Sequence, residues 1–170
     1  VQRYPEDFDG AIIGCPVIDR TNLMMASIWN GQAFASGPIP KAKLAVIAEA
    51  TLAACDAQDG LVDGLIDTPD RCKFDPKVLL CEGADGPDCL TPGQITALQK
   101  IYSGPVNSKG ERLFPGFPPG HEEDYATSAI GDGNQHTWAG TGDGFMRYFV
   151  FGPNYDALKQ FNFDTSLAAL

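Results

Sequence analysis

The sequence predicts an α/β chain in which one short strand is followed by helices and long irregular loops. Three observations carry this. "FDGAIIG" (Phe8 to Gly14) is a short apolar run stopped by Gly14 and Pro16; several later stretches carry apolar residues at helical spacing; and the segment from Val106 to Gly144 concentrates glycine and proline. At 170 residues, with 44% hydrophobic and 10% aromatic side chains, the chain is long enough for one domain with a real core.

The apolar run at Phe8 to Gly14 reads as a buried strand of the parallel type, because Ile12 and Ile13 are adjacent rather than alternating with polar residues. "VIDRTNLMMASIWNGQAF" then places Leu23, Met24, Ile28 and Phe34 at helical spacing, which predicts a helix interrupted at Gly31. "PIPKAKLAVIAEATLAAC" is rich in alanine, and its Ile39, Leu44, Ile47 and Thr51 trace one helical face. "LTPGQITALQKIYSGP" has a complete start signal: Thr91 to cap, Pro92 in the first turn and Gln94 to close a capping box. Ile95, Leu98 and Tyr102 form its core face, and Gly104 can end it. From Val106 to Gly144 irregular structure is expected, anchored by Phe114, Phe117, Tyr125 and Trp138, which need burial. The last segment, "FMRYFVFGPNYDALKQFNFD", is aromatic-rich.

A formal net charge of −10 excludes the clustered basic surface that nucleic acids and anionic membranes require, so neither is expected as a partner. No apolar run approaches the roughly eighteen residues of a membrane span. The chain opens on Val1 rather than methionine and is expected to be part of something longer, so the lack of a leader says nothing about secretion.

The segment "CDAQDGLVDGLID" spaces Asp56, Asp59, Asp63 and Asp67 three or four residues apart. Like charges that close destabilise a compact chain unless something compensates. A hard cation would do so, since calcium takes six to eight oxygens from carboxylates and main-chain carbonyls, and Gly60 and Gly64 allow the tight turns. The spacing is not that of an EF-hand. A solvated acidic turn is the other reading. Five cysteines, at positions 15, 55, 72, 81 and 89, form no C-x-x-C pair, and two disulfides with one free thiol is the economical assignment. Four bridged cysteines allow three connectivities, among which the sequence does not choose. Local pairing would close two small loops in a region poor in apolar residues, and a loop of about fifteen residues gains roughly 3 kcal/mol from closure. Disulfides imply an oxidising compartment.

No G-x-S-x-G elbow, H-E-x-x-H, phosphate loop or dinucleotide fingerprint is present. His121 and His136 are read as surface residues and Cys15 as a buried thiol, because Pro16 cannot donate the next backbone N–H to an oxyanion.

"QRYPEDFDGAIIGCP", "CDAQDGLVDGLID", "RCKFDPKVLLC", "CLTPGQITALQKIYSGP" and "FMRYFVF", in that order, resemble the tannase and feruloyl esterase family, which includes mono(2-hydroxyethyl) terephthalate hydrolase-like enzymes. The resemblance implies a fragment of a secreted or periplasmic α/β-hydrolase, mainly its inserted lid. Residues 1–18 would be a strand and exit of the hydrolase core, 19–152 the lid, and 153–170 the return segment. The catalytic Ser, Asp and His would lie outside the chain, leaving this chain inactive alone and no catalytic residue within it. The same resemblance implies structural Ca²⁺ held by the side chains of Asp56, Asp59 and Asp63 and the carbonyls of Leu61 and Leu65, with Asp67 outside the shell. It implies the pairs Cys55–Cys72 and Cys81–Cys89. It places Trp138, Phe145, Arg147 and Phe149 where lids of the family meet an aromatic ester substrate, although each also fits as lid core. The remainder of the hydrolase would be the partner. Two rivals stand against this: an extracellular calcium-binding module without enzymatic activity, and a complete small hydrolase using Cys15 or a local Ser/His pair.

Overall fold

The computed structural model describes residues 3–14, 16–125 and 137–170, with Trp138 by its backbone alone. Asp19 opens helix α1 (Arg20–Ser36), its Oδ1 accepting from Asn22 N at 3.2 Å. Met24, Met25, Ile28, Ala33 and Phe34 are all buried along it, so α1 is the central element of the fold. Gly31 does not interrupt it. The glycine is required from outside the helix, since a Cβ there would sit 2.6 Å from Ala139 Cβ and 2.7 Å from Leu158 Cδ2. Periodicity along one helix cannot reveal a close approach by another.

Helix α3 (Pro92–Ser103) packs on the C-terminal half of α1, and helix α2 (Leu44–Cys55) contributes to the same core cluster. The α3 start is as its sequence predicts: Thr91 Oγ1 accepts from Gln94 N, Gln94 Oε1 accepts from Thr91 N, and Gly104 ends the helix at φ 74°. Phe34, Ile39, Leu44, Ile47, Ile95, Leu98, Ile101 and Tyr125 close this first core cluster. Buried Lys43, just before α2, donates to Gln94 Oε1 at 3.1 Å and pairs with Asp85, which ties the Cys81–Cys89 loop to the α3 cap. Both disulfides take the local pairing, with Cα–Cα separations of 5.4 Å for Cys55–Cys72 and 4.9 Å for Cys81–Cys89.

A second cluster covers the N-terminal half of α1, formed by Met24, Met25, Ile28, Met146, Ala157, Phe161 and Phe163. The irregular run ends earlier than its glycines suggest. Thr137 Oγ1 caps helix α4 (Trp138–Phe145), which continues into a π-helical segment, Met146–Phe151. Glycine costs helix stability, but Gly142 is buried where a Cβ would press on Met24 O at 2.9 Å, so the α1–α4 contact needs it. A short helix α5 (Ala157–Gln160) and the tail carrying Phe161 and Phe163 pack back onto α1. Trp29 joins the two halves, donating to Lys100 O at 2.8 Å and meeting Phe163 edge-on.

The expected strand at Phe8 to Gly14 is not formed. Among the described residues there is no strand, only the isolated bridges Leu80–Leu90 and Val106–Arg112. Phe8, Ile12, Ile13, Val17 and Ile18 are exposed. An apolar run becomes a strand only against neighbouring strands, and the described residues supply none. Cys15 and His136 lie outside the described residues.

Candidate functional site

The acidic loop follows α2 without a break. Asp56 is buried at its entrance, and its carboxylate accepts from Asp63 N and Gly64 N, at 3.1–3.2 Å. Asp59 Oδ1 accepts from Leu61 N at 2.9 Å and Asp63 Oδ1 from Leu65 N at 3.1 Å. These are two successive Asx turns four residues apart. Gly60 (φ 101°) and Gly64 (φ 83°) hold left-handed conformations between them, which other residues adopt only at a cost. The loop therefore folds by spending one oxygen each of Asp59 and Asp63 on its own backbone. Asp67 is exposed beyond the second turn.

The donor chemistry, carboxylates with neighbouring main-chain carbonyls, suits a hard cation. The aspartates do not by themselves close a carboxylate cage: among the described residues no three His, Cys, Asp or Glu side chains are gathered closely enough to hold a metal. A ligand set here would therefore draw on backbone carbonyls such as those of Leu61 and Leu65 as well.

The aromatic segment is brought together around α4. Phe145 and Phe149 stack, with ring centroids 5.5 Å apart and planes 16° from parallel, and the Arg20 guanidinium lies 5.7 Å from the Phe145 centroid. Tyr148 and Phe149 are 74% and 76% exposed, so this face presents rings outward rather than packing them into the core. Arg147 differs: its Nε lies 2.6 Å from Asp143 Oδ2, and Asp143 also accepts from Ala157 N at 2.8 Å. Asp143, which the sequence did not single out, thus fixes Arg147 and the start of α5 together. The side chain of Trp138 lies outside the described set.

A buried polar cluster also escaped sequence reasoning. Glu122, in "PPGHEED", is not singled out by the sequence, yet it is 0% exposed. Its Oε1 accepts from Tyr102 OH at 2.5 Å and Gly120 N at 3.0 Å, with Thr51 Oγ1 at 3.4 Å. Burial, reinforced by the negative charge of Glu122, pushes the hydroxyls of Tyr102 and Tyr125 well above the ordinary tyrosine range. His121 is exposed and packs its ring on Phe117 and Tyr125. Among the described residues, the two grooves it lines contain no serine or cysteine.

The family model described as tannase and feruloyl esterase matches residues 1–170, the whole chain. The chain belongs to the tannase and feruloyl esterase family. An uncharacterized esterase of Xanthomonas campestris pv. campestris is 41% identical over 138 residues, covering 79% of this chain and 23% of its own length. Mono(2-hydroxyethyl) terephthalate hydrolase of Piscinibacter sakaiensis is 33% identical across 66% of this chain and 23% of its own. Feruloyl esterase C of Talaromyces stipitatus is 32% identical across 92% of this chain and 30% of its own. The crystal structure of feruloyl esterase B from Aspergillus oryzae superposes with a TM-score of 0.76 at 25% identity, covering 93% of this chain and 32% of that one. The chain thus spans about a quarter to a third of the length of these family members.

Proposed function

We propose that this chain is the lid of a longer, secreted serine carboxylic-ester hydrolase that acts on esters of aromatic acids, together with one strand of its core. The observation that carries the reading is the family match over every residue of a chain that spans only a fraction of its relatives. The exposed Phe8, Ile12, Ile13, Val17 and Ile18 support it, as an apolar edge that a hydrolase sheet would cover. Residues 1–18 then belong to the core, 19–152 to the lid and 153–170 to the return. The two disulfides support an oxidising compartment.

In this reading Ser, His and Asp from the remainder of the enzyme carry out acyl transfer through a tetrahedral intermediate. The lid excludes water and grips the aromatic acid. Phe149, stacked on Phe145 and open on its other face, offers a platform for the substrate ring. Trp138 and Arg147 are the other residues proposed to meet the substrate. Calcium bound by Asp56, Asp59, Asp63 and the carbonyls of Leu61 and Leu65 offsets the loop's negative charge. Its role is structural.

Assayed against methyl ferulate, methyl gallate and nitrophenyl esters, the 170-residue chain should show no turnover, while the intact protein should cleave them. Turnover by the chain alone, lost in Cys15→Ala, would overturn the reading. An intact protein inert to every aromatic ester would favour a calcium-binding module instead. In the intact enzyme, Phe149→Ala should raise KM for ferulate esters about tenfold, the upper end of what one ring contact contributes. Aliphatic nitrophenyl esters and thermal stability should change little, because the ring is mostly exposed. An equal loss on both substrate types would remove Phe149 from the pocket.

A further inference from the structure

The turn after the proline-rich run carries a buried charge that neither the acidic loop nor the aromatic face uses. Burying a carboxylate is costly unless its hydrogen bonds are all made at once. Glu122 gathers donors from α3 (Tyr102), from α2 (Thr51) and from its own turn (Gly120), while its Oε2 has no partner among the described residues. Thr51 has one proton to share between Glu122 and Ile47 O, which lies closer at 2.8 Å, so the Tyr102 and Gly120 contacts carry most of the weight. Half-made, such a cluster is worse than none, which gives the turn two distinct states: docked with Glu122 bonded, or released with Glu122 in water.

The docked turn rests on the acidic loop. At Gly120 (φ 114°) an added Cβ would lie 3.0 Å from Ile66 Cδ1, the residue immediately after Leu65. Gly64 shares a groove of about 350 Å³ with α2 and residues Gly120–Asp124. Gly64 and Ile66 share a second groove, about 330 Å³, with Pro118–His121. The loop therefore walls the turn on two sides, and Ile66 forms its floor.

We propose that the Gly120–Glu122 turn is a latch that couples the order of the Asp56–Leu65 loop to the Thr51–Glu122–Tyr102 bridge between α2 and α3. An ordered loop holds Ile66 in place, Ile66 seats Gly120, and the seated turn delivers Glu122 to Tyr102. By reciprocity, loosening the Tyr102 end loosens the loop by the same factor. The cation enters only as a ligand that orders the loop, and that part rests on the calcium reading above.

Hydrogen exchange in the intact protein tests this, read at the amides of Asp63, Gly64 and Leu65 and at Gly120 to Tyr125. Tyr102→Phe removes one donor to Glu122 and keeps the ring. It should accelerate exchange at Asp63 to Leu65 about tenfold, whereas Ile101→Val, a neighbouring core trim on α3, should leave those amides unchanged. Ile66→Val tests the other direction and should accelerate exchange at Gly120 to Tyr125, so the proposal stands or falls even if Tyr102→Phe does not fold. Exchange that changes only on the mutated side overturns the latch. A chelator added to the unmutated protein separates the two readings: if it alters neither segment the calcium assignment fails, while the Tyr102→Phe and Ile66→Val comparisons still decide the latch.

Discussion

Above pH 10 the folded protein should lose stability steeply, at about 1.4 kcal/mol per pH unit for each of Tyr102 and Tyr125. Burial first, and the nearby negative charge of Glu122 second, hold both hydroxyls protonated in the folded state well past their unfolded value of 10.0. A folded-state pKa raised above the unfolded one gives stability that is fully present below pH 10. It is lost as pH rises above that value, because the unfolded chain releases protons that the folded chain keeps. Tyr125, 1% exposed, is the sharper reporter of the two. Its hydroxyl has no hydrogen-bond partner among the described residues, so Tyr125→Phe should cost within about 1 kcal/mol at pH 7 and halve the alkaline slope. Denaturant midpoints measured from pH 8 to 12 give the slope, and tyrosinate absorbance of the folded protein gives the titration directly. Two of the five tyrosines should resist ionisation until the protein unfolds. If all five titrated near pH 10 with the fold intact, or if Tyr125→Phe left the slope unchanged, the buried Glu122–tyrosine cluster would not exist in solution.

What the sequence made legible is local chemistry. The α3 start could be read residue by residue, since Thr91, Pro92 and Gln94 act on one another within a single turn, and the Gly104 stop obeys the same logic. The core face of α2 was readable because Leu44, Ile47 and Thr51 report burial through spacing alone, while Ile39, expected on the same helix, is buried in the chain before it. The turns of the acidic loop were foreshadowed for a similar reason: an aspartate two residues before the N–H it accepts is a short-range device. Gly31 inside α1 and Gly142 of α4 were misread because their cause lies in a different helix. The run Phe8 to Gly14 showed its apolar character but not whether partner strands would be present.

Glu122 was illegible for the same physical reason on a larger scale. Its neighbours in sequence, His121, Glu123 and Asp124, are all exposed, so nothing local marks it as buried. Its partners Tyr102 and Thr51 lie 20 and 71 residues away. The aromatic face divides between the two cases. Its ring content was visible, whereas the outward aim of Phe149 depends on which face of the segment packs onto the second core cluster.

With calcium held in the acidic loop as proposed, its removal from the intact protein should lower the melting temperature by about 5–15 °C, with added calcium restoring it. A ligand present at 100 to 1,000 times its dissociation constant stabilises by roughly 2.7–4.1 kcal/mol, and each kcal/mol moves the midpoint by about 2–4 °C in a domain of this size. The choice of variant decides what the experiment can say. Asp56 already accepts backbone N–H bonds from Asp63 and Gly64, so its removal would unravel the loop with or without a cation. Asp59 is exposed, and its one hydrogen bond within the loop goes to Leu61 N, so Asp59→Ala should cost little in chelator. It should nevertheless abolish the calcium-dependent shift, because one of three charged ligands is gone. Asp70→Ala, just outside the loop, should keep the whole shift. Turnover in chelator should fall only as far as this segment unfolds, since all the proposed ligands are protein oxygens and none of them belongs to the proposed catalytic apparatus. A melting temperature indifferent to chelator and to Asp59→Ala would leave the acidic loop as a solvated turn held by its own Asx bonds. Selective loss of turnover from a fully folded, calcium-free enzyme would instead place the cation in the chemistry.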